Sequence, residues 1–127
     1  SPTTKGKQMI KFKRVYEDFS ESDGYRVLVD RLWPRGVKKI DLKMDEWNKD
    51  ITPSTELRKW YHDHRDQFDT FKGLYLAELE KSQDAWMPLL AKMKTEMVTL
   101  LTAEKSPKTQ HVSILKDFLI EKSEQIK

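Results

Sequence analysis

The stretch Tyr25-Arg26-Val27-Leu28-Val29-Asp30-Arg31-Leu32-Trp33-Pro34-Arg35-Gly36 decides the fold. From Tyr25 to Asp30 it carries an unbroken, mostly β-branched apolar run, which fits a strand covered on both faces, as in sheets flanked by helices. The strand must stop soon after. Pro34 removes a ladder donor and restricts Trp33, and Gly36 permits a sharp change of direction.

Outward from this run, Asp18 to Gly24 is a cluster of turn formers and reads as a loop. Before it, Met9 to Val15 or Tyr16 reads as a short first strand. After it, residues 38–49 hold Ile40, Leu42, Met44 and Trp47 without a clean period, which predicts a packed loop with a short helix around Asp45 to Asn48. Thr52-Pro53-Ser54-Thr55-Glu56 opens a helix to about Tyr61, with a hydroxyl cap, Pro53 at the first helical position and an acid near the positive end. Phe68, Phe71, Tyr75 and Leu79 form one apolar stripe on the next helix. A third helix, Asp84 to Lys94, buries Trp86, Leu89, Leu90 and Met93 and tolerates Pro88 only near its first turn. Met97 to Ala103 is a second buried strand, and Ser106-Pro107-Lys108-Thr109 opens a last helix. Long helical crossovers between the strands favour parallel pairing. The expected fold class is therefore α/β: a small, mostly parallel sheet flanked by helices, three-layered and Rossmann-like.

The 127 residues suit one domain, given about 100 to 200 residues per core. Residues 1–8, with no initiator Met, are read as a disordered or artificial end, and residues 9–127 as a single α/β domain. Four Trp, four Tyr and five Phe supply an aromatic core. Without cysteine there is no disulfide framework, thiolate zinc site or cysteine nucleophile. The net charge of +3 is too small to argue for nucleic acid by itself, but residues 1–52 hold 12 Lys/Arg against 9 Asp/Glu, whereas residues 53–127 hold 12 of each. The surplus points to a local anion-attracting patch. No run of about 18 apolar residues and no signal region is visible, so no membrane contact and a cytoplasmic location are expected.

In open parallel sheets, ligands collect beyond the carboxyl ends of the strands. That rule brings Asp30 to Arg35 together with Thr102 to Lys105, and with His111 at the entrance of the last helix. Arg31 and Arg35 could fork onto a carboxylate or phosphate, or simply neutralise a strand end. Trp33 is either a rigid packing corner or a stacking wall. Asp30, Glu104 and His111 are the candidates for general acid/base work. Arg58 and His62 stand four apart, so on one helix face they could extend the anion site. A metal site is not indicated: His62 and His64 lack the four-residue helical spacing, and no soft ligand is present. There is no Gly-rich phosphate loop, nucleophile elbow or dinucleotide fingerprint.

The run from Asp23 to Gly36, followed by Pro53-Ser54-Thr55-Glu56-Leu57-Arg58-Lys59-Trp60-Tyr61-His62, resembles the YeaO-like family, a branch of domain-of-unknown-function family 488. The likeness continues through Phe71, Tyr75 and Glu78-Leu79 to Val98-Thr99-Leu100-Leu101 and the last helix, over residues 9–123. It implies a small bacterial α/β protein without an established activity. The wider family implies an Asp-Val-Arg segment, similar to Asp30-Arg31, and a Cys-Ala-Glu segment followed by Cys-His-Arg, similar to Ala103-Glu104 and His111. Thr102, Gln110 and Val112 depart from that pattern, so any chemistry here is expected to be independent of thiols.

Two functions follow. The first is an anion-binding pocket, for a small molecule or a nucleotide, in which Arg31, Arg35, Arg58 and His62 hold the ligand, Trp33 walls it, and Asp30, Glu104 or His111 moves protons. The other is a non-catalytic module whose basic first half meets nucleic acid or a protein.

Overall fold

The computed structural model describes residues 9–105 and 110–125. The expected disordered end at 1–8, and the opening of the last helix at Ser106 to Thr109, lie outside them. Four strands, β1 (Ile10–Arg14), β2 (Tyr25–Leu28), β3 (Glu46–Trp47) and β4 (Val98–Thr102), form an all-parallel sheet in the order β1-β4-β2-β3. The helices are α1 (Lys39–Leu42), α2 (Thr55–His62), α3 (Phe68–Lys81), α4 (Gln83–Met93) and α5 (His111–Gln125). The protein is an α/β fold. None of its described helices is long and apolar enough to cross a membrane.

Strand alternation sorts the core into two clusters. Ile10, Val27, Val29, Val98 and Leu100 face α2 to α5, where Phe71, Tyr75, Trp86, Leu115 and Leu119 complete the larger one. Val15, Leu28, Leu42 and Leu101 face the other way, beneath Trp33, Val37, Met44 and Trp47. The sheet is thus covered on both sides, but the second cover is thin: one helical turn and the loops around it.

That thin side also holds Arg26, buried within the apolar run of β2 and compensated by the fully buried Asp23. Asp23 belongs to a 3-10 turn, Glu21–Asp23, closed by a capping box with Ser20. Gly24 follows with φ 63, and a β-carbon there would run into the Met97 carbonyl, which accepts the Tyr25 N–H at 2.8 Å. Gly24→Ala is therefore expected to lower stability by about 2 kcal/mol. An unchanged urea midpoint would refute the close approach.

Three local expectations are corrected. The segment at 45–48 is strand, not helix: Glu46 and Trp47 pair with Val27 and Leu28, in an element too short to show alternation. Its Glu46 accepts from the Tyr25 hydroxyl at 2.7 Å, and that hydrogen bond, with burial and the carboxylate charge, pushes the phenol up to about 12. The cap of α2 is Ser54, whose hydroxyl accepts the Leu57 N–H at 3.1 Å, so Pro53 precedes the helix rather than starting it. Pro88 lies beyond the first turn of α4. Both Pro88 and Asp84, the residue whose carbonyl loses its partner, are exposed, so water can take the place of the missing N–H.

Candidate ligand-binding crevice at the strand ends

Asp30 lies two residues past β2 and ties two strand ends together. Its Oδ1 accepts from the Thr102 hydroxyl at 2.8 Å and its Oδ2 from the Ala103 N–H at 2.8 Å. The Thr102 oxygen in turn accepts the Glu104 N–H at 3.2 Å, which curls the chain after β4. Arg14, at the end of β1, pins this turn from outside through the Glu104 carbonyl at 3.0 Å.

His111 is the first residue of α5 and is buried. Its Nε2 lies 2.6 Å from the Val29 carbonyl and 3.5 Å from Asp30 Oδ1. A carbonyl oxygen only accepts, so Nε2 carries a proton and donates it there. Asp30 therefore links the end of β2 to the turn after β4, and the Nε2 of His111 links α5 to β2.

Arg31 crosses to the other wall, where its Nε donates to the Pro53 carbonyl at 2.8 Å. Asp30, Arg31, Arg58, Glu104 and His111 line a crevice of about 70 Å³, together with the Thr52-Pro53 corner. A larger space of about 280 Å³ adjoins it and shares Arg58, Glu104 and His111; His62, Lys59, Arg65 and Gln110 lie along it. The guanidinium of Arg65 covers the Tyr61 ring at 4.9 Å. Among the described residues no group of three or more acids and histidines could hold a metal ion. His64 turns away from the cleft, stacking on Trp60 at 4.4 Å between centroids.

Two residues predicted for this site stand elsewhere. Trp33 packs edge-on against Trp47 at 5.5 Å and donates from Nε1 to the Val37 carbonyl at 2.6 Å, in the second core cluster. It is a packing corner, because the chain turns at Pro34 toward the thin face. Arg35 follows it onto the exposed surface, where its carbonyl accepts from the Tyr16 hydroxyl at 3.0 Å. Sequence reasoning passed over Lys59, Arg65 and Gln110. Arg65 follows Arg58 and His62 at the four-then-three spacing of one helix face, a signal obscured because α2 ends at His62.

A parallel α/β domain with a basic cleft at its strand ends is the class these features define. The chain belongs to the family described as the inactive DUF488-N3 subclade, whose model matches residues 9–127. It is similar to the uncharacterized protein YeaO of Escherichia coli strain K12, with 49% identity over 110 residues that cover 87% of this chain and 96% of the relative. The uncharacterized protein Rv3073c of Mycobacterium tuberculosis is 41% identical over 111 residues, covering 87% of this chain and 92% of the relative. No solved structure matches the chain.

Proposed function

We propose that this protein binds a small anionic ligand in the strand-end cleft and holds it without transforming it. One observation carries the reading: among the described residues, Arg31, Arg58, Lys59 and Arg65 line the joined spaces against two carboxylates, Asp30 and Glu104. Asp30 already accepts a hydrogen bond on each oxygen, from Thr102 and Ala103, which weakens its competition for the guanidinium donors. Asp30 and the Nε2 of His111 are engaged with the turn after β4 and with the Val29 carbonyl, which favours a positioning role and so binding over turnover. The family's description as inactive points the same way.

Arg58 makes the test clean because it stands exposed on α2. Arg58→Ala is expected to leave the ligand-free melting temperature within a few degrees, as for other surface changes of about 0.5 kcal/mol. Inorganic phosphate or ribose 5-phosphate at about a hundredfold excess over Kd should stabilise the wild type by about 2.7 kcal/mol and the variant by much less. Equal thermal shifts in the two proteins would sink the proposal.

A further inference from the structure

We infer that the ligand of this cleft is a purine 5′-mononucleotide, with guanine the preferred base. The inference rests on the anion-binding reading above and adds the chemistry of the rest of the ligand.

The two spaces differ in size and in lining. The smaller, about 70 Å³, has the bulk of about two waters and admits one tetrahedral oxyanion. Arg31 and Arg58 line it, and a guanidinium fork matches two oxygens of a phosphate. A bare phosphate would leave the larger space, about 280 Å³, to water. Taken together the two reach the lower end of ligand pockets, about 300 Å³.

The larger space is built for a different kind of group. Glu104, shared by both, is an acceptor only when ionised and calls for N–H donors. Guanine presents N1–H and N2–H₂ side by side on one edge, a match for the two oxygens of a carboxylate. Adenine offers one amino group there, and uracil sets two carbonyl oxygens beside its single N–H, which a carboxylate repels. The guanine O6 next to N1–H needs a donor, and the Gln110 amide lines the same space. The Arg65 guanidinium, held over Tyr61 at 4.9 Å, adds a planar cation of the kind on which a base stacks. The polarity of binding follows from the residues that the two spaces do not share, Arg31 in the smaller for the phosphate and Gln110 in the larger for the base.

Isothermal titration of the full chain at fixed ionic strength tests this with ribose 5-phosphate, 5′-GMP and 5′-AMP. In the wild type, 5′-GMP is expected to bind at least about tenfold more tightly than either of the others, the scale of one hydrogen bond to a charged group. Glu104→Gln should erase that preference while leaving ribose 5-phosphate bound as well as before or better. Arg58→Ala should weaken all three. Equal wild-type affinities for 5′-GMP and ribose 5-phosphate, or a 5′-GMP preference that survives Glu104→Gln, would overturn the nucleotide inference and leave the anion site standing. No binding of any of the three would remove both. Steeply salt-dependent binding of a single-stranded oligonucleotide, with none of the mononucleotides, would overturn it in favour of a nucleic-acid surface.

Discussion

Replacing Asp23 by Ala is expected to destabilise the fold by about 3 to 5 kcal/mol, because it strips a buried cation of its partner. The Asp23 side chain is fully buried and that of Arg26 is 3% exposed. Lys11 and Lys13 approach the same carboxylate at 2.9 and 3.0 Å, and the Ser20 N–H donates to it at 3.1 Å. In the variant Arg26 keeps its bonds to the Leu42 and Lys43 carbonyls but has no counter-charge. Burial alone would raise the Asp23 carboxyl; hydrogen bonds from Lys11, Lys13 and Ser20, with the Lys13 charge, outweigh it and hold the group well below the usual carboxylate range. A folded value below the unfolded one of about 3.9 contributes stability in full above that pH and loses it as acid takes the pH lower. Urea titrations of wild type and Asp23→Ala should therefore differ most near neutrality and converge below about pH 4. A neutral-pH difference under about 1 kcal/mol would show that water, not Asp23, compensates Arg26.

Asp30→Ala is expected to cost about 3 kcal/mol and to weaken anion binding at the same time, since it deletes two hydrogen bonds to an ionised acceptor. The lost partners, the Thr102 hydroxyl and the Ala103 N–H, shape the turn that carries Glu104. Asp30→Asn should lose about half as much, because the amide keeps one acceptor oxygen for one of those donors. Chemical denaturation and phosphate titration, run on both variants, check this. If affinity fell while stability held, Asp30 would be a ligand contact rather than a positioning residue.

Much of the fold is legible where hydrophobicity is periodic or unbroken. Val27 to Val29 and Val98 to Leu101 announce two buried strands, and the stripe Phe71, Tyr75, Leu79 announces α3. The strand-end rule also places Asp30, Arg31, Glu104 and His111 on one rim, since it depends only on where each strand ends. Charge pairing was less visible. Asp23 reads as a turn former within a polar loop, and Arg26 as an interruption of an apolar run; the 3-10 turn and Gly24 between them fold the carboxylate back onto the guanidinium three residues on. Side-chain direction beyond a bend was hidden as well. Pro34 marks a turn without saying which face it leads to, so the destinations of Trp33 and Arg35 could not be read. A two-residue strand such as Glu46–Trp47 has no period to detect, and only its pairing with β2 defines it.

The borders of the sheet have a consequence for life in a crowded solution. A parallel sheet left open at both sides is a template on which a second chain can polymerise. Here one border, β3, is two residues long, too short to recruit a partner strand. The other, β1, reads Ile10-Lys11-Phe12-Lys13-Arg14 and turns its lysines inward onto Asp23. Any chain docking alongside would have to lie against that concentration of cations. The buried carboxylate that stabilises the fold thus also fixes in place the charges that keep one molecule from templating the next.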